Sequence, residues 1–125
     1  MLMAAWRGLS MNRIDSYRFG EIVVNGKTYS SDVIIFPDRI EDNWHRKSGH
    51  ELCLEDMTEI IAETPKVVVV GTGAAGFMQV LSEVPQIARA QGIELITEPT
   101  DNACNTYNRL SPSHTSVIAA LHLTC

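Results

Sequence analysis

The chain has 125 residues, of which 45% are hydrophobic and 20% are charged, and it carries a net charge of -5. This length suits one domain with one core, and the composition excludes an intrinsically disordered chain. The basic residues are scattered except for Arg46 and Lys47, which argues against a nucleic-acid partner, and no apolar run reaches the roughly 20 residues of a membrane-spanning helix.

The first 14 residues are predicted to form an extension that precedes a single domain at residues 15–125. The extension carries Arg7, Ser10 and Arg13 and contains no acidic residue. This composition fits either an organelle-targeting segment or a start codon placed upstream of the domain. The predicted location is therefore cytoplasmic, or mitochondrial if the host is a eukaryote and the extension is a targeting segment.

A β-hairpin is the clearest local prediction. Asn25 and Gly26 lie between two β-rich runs, and both residues can adopt the positive φ that a two-residue type I′ turn requires. We therefore expect strands at about residues 17–24 and 27–36, the second ended by Pro37. The polar stretch at residues 38–53 shows no apolar periodicity and is expected to be a loop.

A helix followed by a buried strand is predicted next. The segment at residues 54–64 places four apolar side chains at helical spacing, namely Leu54, Met57, Ile60 and Ile61. Pro65 ends this helix. Residues 67–70 are four consecutive valines, and a strand that is apolar on both faces is typical of a parallel sheet covered by helices.

The last part of the chain predicts helix, strand, helix and strand. A turn or short helix is expected at residues 77–81, and a helix from about Ser82 carries Pro85 in its first turn and Gly92 after its end. A strand at residues 93–97 follows. The next helix is capped by Thr100 or Asp101 and turns four side chains inward, namely Ala103, Cys104, Tyr107 and Leu110. The closing strand at residues 116–123 is apolar on both faces and is expected to be central.

The predicted element order is β-β-α-β-α-β-α-β. It indicates an α/β fold, a single domain built on one mixed β-sheet with an N-terminal antiparallel hairpin and packed helices. The strand, helix and strand from residue 67 to residue 97 form a crossover unit.

The glycines that follow the valines raise the possibility of a dinucleotide site. Gly71, Gly73 and Gly76 have the spacing of the dinucleotide fingerprint, and Glu98 follows the next strand. That fingerprint also requires a helix that begins inside the glycine run, and Pro85 would lie in the interior of such a helix at a cost of about 3 kcal/mol or more. We therefore predict no dinucleotide and no other cofactor.

A smaller ligand fits the same region better. In a parallel unit both strands end at one edge, where α/β folds place their ligands. The candidate ligand-binding residues for an anionic or polar molecule are Gly71, Thr72, Gly73, Thr97 and Glu98. The alternative is that the glycines only allow a tight turn and a close backbone approach.

One loop gathers residues that suit recognition of a protein partner. The candidate interaction residues are Trp44, His45, Arg46, Lys47 and His50. Exposed loops often carry binding residues, and a solvated loop without a partner is the alternative.

No catalytic or metal-ligating set is predicted. The histidines and cysteines have no CxxC or HxxxH spacing, and no GxSxG motif is present. Cys53, Cys104 and Cys125 are an odd number without paired spacing, which indicates free thiols in a reducing compartment.

Several stretches together resemble one known family over about residues 15–125. They are RFGEIVVNGKTYSSDVII, WHRKSGHEL, VVVVGTGAAG, ACNTYNRL with Thr97, and AALHLTC. The chain is identified on these stretches as similar to the Mth-nine-three-eight-like domain family, a domain of unknown function whose members include a mitochondrial complex I assembly factor and an adipogenesis-associated protein. The resemblance implies a compact α/β domain with a mixed sheet and no established catalytic residue. Relatives often place Gly and Arg before the last strand, where this chain has Ser113 and His114.

The expected function is that of a non-enzymatic interaction or assembly module with an unidentified protein partner. The alternative is a small-molecule binding protein or small enzyme that uses the edge of Gly71–Gly73 and Thr97–Glu98. A third possibility is a redox role for Cys53 or Cys125.

Overall fold

The computed structural model describes residues 12–112 and 116–125. Ten strands and three α-helices occur in this part of the chain. The strands are β1 Ile14–Arg18, β2 Glu21–Val24, β3 Lys27–Tyr29, β4 Val33–Ile35, β5 Ile40–Glu41, β6 Glu51–Leu52, β7 Val67–Thr72, β8 Gln79–Val80, β9 Glu94–Glu98 and β10 Val117–His122. A 3₁₀ turn at Leu54–Met57 precedes the helices α1 Thr58–Ala62, α2 Glu83–Ala90 and α3 Thr100–Leu110.

A five-stranded mixed sheet forms the centre of the molecule. Its strand order is β5-β4-β10-β7-β9, in which β7 lies parallel to both β10 and β9, and β4 lies antiparallel to β10. Strands β1, β2 and β3 form a separate antiparallel sheet, and β6 pairs with β8 in a short parallel ladder. Strands β7 and β10 are buried along their whole length, as the absence of polar alternation in their sequences predicts.

Each face of the central sheet has its own core. The first core contains α3 and the three-stranded sheet, and its large buried side chains include Tyr107, Ile22, Val24, Val69 and Leu121. The second core contains the 3₁₀ turn, α1 and α2, and its large buried side chains include Phe36, Leu52, Met57, Ile60 and Ile118. Alternate residues of β7 and β10 point into the two cores, because successive side chains of a strand point to opposite faces.

The predicted turn at Asn25 and Gly26 is confirmed, but the hairpin around it is shorter than expected. Asn25 and Gly26 have φ values of 53° and 79°, and they connect β2 to β3. The expected strand at residues 17–24 is two strands, because Gly20 adopts a φ of 79° and turns β1 back onto β2. The expected strand at residues 27–36 is also two strands, which belong to different sheets.

The antiparallel part of the central sheet therefore comes from β4 and β5 rather than from the hairpin. The polar stretch at residues 38–53 is mostly loop, as predicted, and contains the two-residue strands β5 and β6. The expected helix at residues 54–64 begins as a 3₁₀ turn and continues as α1. Residues 77–81, expected as a turn or short helix, contain β8.

The predictions for the last third of the chain are largely confirmed. Helix α2 begins after Ser82, and β9 pairs in parallel with β7. Helix α3 buries Ala103, Cys104 and Tyr107, as expected. Its N-cap is Pro99 rather than Thr100 or Asp101, because the hydroxyl of Thr100 contacts other elements. Strand β10 is central.

The predicted fold class, a single mixed α/β domain, is confirmed by these elements. Residues 1–11 of the predicted extension and the positions of Ser113 and His114 lie outside the described residues. Strand β1 begins at Ile14, the last residue of that extension. No helix within residues 12–112 and 116–125 is long and apolar enough to cross a membrane.

Candidate functional site

The structure brings the predicted edge residues together. Strands β7, β9 and β10 end at one edge of the sheet, with Gly71 in register with Glu98 and Thr72 in register with His122. Thr97, one residue earlier in β9, is exposed. The carboxyl ends of these parallel strands therefore meet as the crossover prediction requires.

The polar groups of this edge bond to one another. The hydroxyl of Thr72 donates to the carbonyl of Glu98 at 3.1 Å. The amide of Gly73 donates to Thr100 Oγ1 at 2.8 Å, and that hydroxyl donates in turn to the carbonyl of His122. The carboxylate of Glu98 accepts from Thr106 at 2.7 Å. These bonds hold the ends of β7, β9 and β10 against the start of α3.

Neighbouring atoms at this edge pack so closely against the backbone that two positions require glycine. A Cβ on Gly71 would lie 2.8 Å from Thr100 Oγ1 and 2.9 Å from Leu121 Cδ2. Gly73 has a φ of 107°, and its Cβ would lie 2.7 Å from the carbonyl oxygen of Cys125. The amide of Ala74 also donates to the carbonyl of Thr124 at 2.7 Å. The residues after β10 therefore pack directly against the glycine turn.

No helix begins in the glycine run. After Gly76 the chain forms β8, and α2 begins only at Glu83 with Pro85 in its first turn. The helix whose amino end reaches the glycines is α3, since the amide of Thr100 donates to the carbonyl of Gly73 at 3.0 Å. The backbone geometry of a dinucleotide fingerprint, in which the helix amides face a pyrophosphate, is thus not formed here.

The candidate interaction loop folds over the same end of the sheet, and its side chains differ in exposure. His45, Lys47 and His50 are exposed, and Trp44 is half-buried. The side chain of Arg46 is only 4% exposed. Its guanidinium lies 4.8 Å from the centre of the Trp44 ring. The loop therefore presents three of its five predicted residues to solvent and points one inward.

Arg46 reaches two residues that the sequence did not single out as a site. Its Nη1 lies 2.9 Å from Asp32 Oδ2, and its Nη2 lies 3.0 Å from His122 Nδ1. His122 Nδ1 also lies 2.8 Å from Asp32 Oδ2. We call Asp32, Arg46 and His122 the buried polar cluster; their side chains are 16%, 4% and 8% exposed.

The charge of Asp32 is stabilised within this cluster. Burial by itself raises the pKa of the carboxyl, but hydrogen bonds from His122, the amide of Leu123 and Arg46 outweigh it and hold the pKa below its usual value. The second carboxylate oxygen accepts from the amide of Leu123 at 2.8 Å. Asp32 is therefore ionised near neutral pH and fixes the end of β10.

The ring of His122 can serve only one of its two neighbours at Nδ1. Arg46 can only donate, and the carboxylate of Asp32 can only accept. With a proton on Nδ1, His122 donates to Asp32. Arg46 then donates to Asp32 and to the carbonyl of Gly49. The hydrogen-bond network therefore favours the tautomer with the proton on Nδ1. His122 Nε2 and Arg46 Nε are buried without a hydrogen-bond partner among the described residues.

Sequence reasoning missed the pairing of Asp32 with His122. The available signals were a histidine inside the apolar run of β10 and an acid directly before the apolar residues of β4. A buried polar side chain needs a hydrogen-bond partner, so each of these positions predicts one, but neither identifies the other.

Two large apolar side chains are exposed on turns that bond to the residues after β10. Phe19 and Phe77 are 65% and 67% exposed. Phe19 precedes Gly20, whose amide donates to the carbonyl of Leu123, and Phe77 lies three residues after Ala74, whose amide donates to the carbonyl of Thr124. We call Phe19, Ala74, Ala75 and Phe77 the apolar end; all four are exposed.

The cysteines and histidines do not converge. Within residues 12–112 and 116–125, no group of three or more His, Cys, Asp or Glu side chains is arranged to hold a metal ion. Cys104 is buried, Cys53 is half-buried and Cys125 is exposed, and none of them forms a disulfide among the described residues. Burial, assisted by Asp101, raises the pKa of the Cys104 thiol to about 12.

Known proteins with similar sequences and structures include three informative cases. The "13 kDa major membrane protein" of Francisella tularensis subsp. holarctica (strain LVS) is 29% identical over 101 residues, which are 75% of this chain and 76% of that protein. A conserved hypothetical protein of Pyrococcus horikoshii OT3 superposes with a TM-score of 0.77 at 28% identity, covering 90% of this chain and 99% of the other. A Bordetella pertussis protein described as a Mth938-like domain superposes with a TM-score of 0.60 at 20% identity, covering 90% and 85%.

The family model described as "Protein of unknown function (DUF498/DUF598)" matches residues 14–122. This match spans every strand and helix of the fold. It confirms the family resemblance predicted from the sequence, because structures with the same fold include the Mth938-like domain. The chain is a member of the DUF498/DUF598 family of proteins of unknown function.

Proposed function

We propose that this chain is a non-enzymatic protein-interaction module that binds a protein partner through the apolar end. The observation that carries the proposal is the placement of two phenylalanines, each about two-thirds exposed, on turns that bond to the same segment, Leu123 and Thr124. Contiguous exposed apolar side chains are typical of binding sites, and we infer that the two phenyl rings belong to one such surface.

Both aromatic side chains are carried by a fixed backbone. The carbonyl of Leu123 accepts from the amide of Gly20 at 2.9 Å and from the hydroxyl of Tyr17 at 2.8 Å. On the other side, the amide of Met78 donates to the carbonyl of Thr72 at 3.0 Å. A backbone that is already ordered loses little conformational entropy on binding. Most of the roughly 1.5 to 3 kcal/mol gained by burying each phenyl ring therefore remains as binding free energy.

The charge of the chain favours a protein over a membrane as the partner. One relative is named a membrane protein. A surface that binds anionic lipid usually has clustered Lys and Arg side chains beside its apolar residues. This chain has a net charge of -5, and its basic residues are scattered. A protein partner with an apolar pocket needs no such cluster.

Photo-crosslinking in the host cell tests the proposal. The probe is p-benzoylphenylalanine placed at position 77, and the matched control places it at Thr28, an exposed residue of β3. We expect one defined protein adduct from position 77 and none from position 28. The purified partner should then bind F19S/F77S at least tenfold more weakly than the original chain.

Two results would contradict the proposal. One is the same pattern of adducts from positions 77 and 28, which would show only random contact. The other is sedimentation of the chain with phosphatidylglycerol vesicles that is lost in F77S, which would make the apolar end a lipid-binding surface.

A second candidate function is binding of a small anionic or polar molecule at the strand ends. It corresponds to the predicted site at Gly71–Gly73 and Thr97–Glu98. Support comes from Arg46 Nε and His122 Nε2, which are buried and have no hydrogen-bond partner among the described residues. His122 belongs to the same edge, because it is in register with Thr72. A thermal-shift screen of nucleotides, phosphates and carboxylic acids tests it, because a ligand at 100 times its Kd adds about 2.7 kcal/mol of stability.

A further inference from the structure

Strand β9 is the outer strand of the central sheet and has one strand neighbour, β7, in the described part of the chain. The amide of Glu94 donates to the carbonyl of Lys66 at 2.9 Å, which places the backbone groups of Glu94 on the side of β7. Backbone groups alternate along a strand, so Ile96 and Glu98 also bond towards β7. The N–H and C=O groups of Leu95 and Thr97 therefore point outward.

A groove runs beside this free edge. It has a volume of about 540 Å³ and lies between β9 and α2. Its lining includes Val80, Pro85, Ala88, Arg89, Leu95 and Thr97. Leu95 and Thr97 therefore have outward backbone groups at the edge and side chains that line the groove. A strand that pairs with this edge would place every second side chain of its own in the groove.

Acidic residues flank the two edge residues. Glu94 and Glu98 lie at the two ends of β9, and Glu94 also lines the groove. In an antiparallel pair of two β9 strands centred on Ile96, each Glu94 would stand opposite a Glu98, and like charges directly opposite are destabilising. The edge thus disfavours a second copy of this chain and favours basic residues at those positions.

We propose that the β9 edge binds an extended segment of a partner protein as a sixth strand. The segment carries two apolar residues two positions apart, which pair with Leu95 and Thr97 and enter the groove. Each apolar residue is flanked on its outer side by a basic residue, which stands opposite Glu94 or Glu98. This surface is separate from the apolar end and does not depend on it. Recognition by strand addition takes its affinity from the main chain and its specificity from the alternate side chains.

The probe is the peptide Ser-Lys-Val-Thr-Val-Lys-Ser, and the measurement is amide hydrogen exchange followed by NMR. In the free chain the amides of Leu95 and Thr97 should exchange fast and those of Ile96 and Glu98 slowly. With saturating peptide, the exchange of Leu95 and Thr97 should slow at least tenfold while Ile96 and Glu98 change little.

Two variants at one position provide the matched comparison. T97P removes the outward N–H without touching the ladder to β7, since proline is tolerated where an edge N–H faces solvent. T97V keeps the N–H. Peptide binding should weaken at least tenfold in T97P and persist in T97V. E94K should weaken binding of the basic peptide and strengthen binding of a peptide with Glu in place of each Lys. This second variant tests the proposal even if T97P does not fold.

Four results would overturn the inference. The first three are unchanged exchange of Leu95 and Thr97 at millimolar peptide, equal binding of the peptide to T97P and T97V, and no effect of E94K on charge preference. The fourth is a set of peptide-induced shifts centred on Phe19 and Phe77. None of these results bears on crosslinking from position 77, so the two proposals fail independently.

Discussion

His122 Nδ1 lies 2.8 Å from the Asp32 carboxylate, across 90 positions of the chain. This contact joins the polar residues before β4 to the end of the central strand β10. Arg46 adds a third segment, because its Nη1 bonds to Asp32 and its Nη2 lies 3.0 Å from His122 Nδ1. The conformation of the loop around Trp44 is therefore tied to the carboxyl end of the sheet.

Replacing Asp32 by Asn should destabilise the fold and reduce its acid sensitivity. The folded-state pKa of Asp32 lies below its unfolded value, so its ionised form contributes stability above about pH 4, and that contribution is lost as the pH falls through the folded pKa. Removing one partner of a largely buried ion pair costs about 3 kcal/mol near neutral pH. Urea unfolding of D32N from about pH 2 to pH 7 measures both effects. D42N, at an exposed carboxylate, is the control, and an equal pH slope for D32N and the original chain would contradict the prediction.

Replacing Arg46 by Met should release the loop from the sheet. The variant loses the ion pair with Asp32, the hydrogen bond to the carbonyl of Gly49 and the contact with the His122 ring. We expect faster amide hydrogen exchange throughout residues 42–50. K47M is the matched control, because the side chain of Lys47 is exposed and its ion pair is with Glu55, which is also exposed. Loop exchange in R46M equal to that in K47M would show that Arg46 does not hold the loop.

Two glycine variants should differ in stability for a steric reason. G73A combines a φ of 107° with a Cβ placed 2.7 Å from a backbone carbonyl, and we expect a loss of more than about 3 kcal/mol. G92A also has a positive φ, of 74°, but its Cβ meets nothing within 4 Å, so the loss should be about 1 to 2 kcal/mol. Chemical denaturation measures both values. Equal losses would mean that the segment after β10 moves away from the glycine turn.

The three cysteines should react with iodoacetamide in a fixed order. Burial raises the pKa of Cys104 to about 12, so almost no thiolate forms at about pH 8 and the thiol is also inaccessible. Cys125 is exposed and Cys53 is half-buried. Mass spectrometry should find Cys125 modified first and Cys104 modified only after unfolding. Early modification of Cys104 in the native protein would show that α3 opens readily.

Much of the fold was predictable because its signals are local. Asn25 with Gly26 specifies its turn through the φ values that these two residues tolerate. Pro85 specifies the start of α2 because proline fits only the first turn of a helix. Predictions failed where residues respond to distant neighbours. Thr100 has the chemistry of a cap, yet its hydroxyl bonds to Gly73 and His122. Asp32 lies inside a β-rich run, yet it belongs to no strand and lies between β3 and β4, which are in different sheets.

Contiguous residues were enough to predict the buried strands β7 and β10, the crossover through α2 and the membership of the family, because apolar runs, turn residues and shared motifs are local features. Three features follow from the tertiary fold: Arg46 points inward to Asp32 and His122, the turns of Phe19 and Phe77 both bond to the segment after β10, and β9 is an outer strand among the described residues. Each of these features depends on which strands pair. Strand pairing depends on the burial of both faces of the sheet together and not on the sequence of one segment.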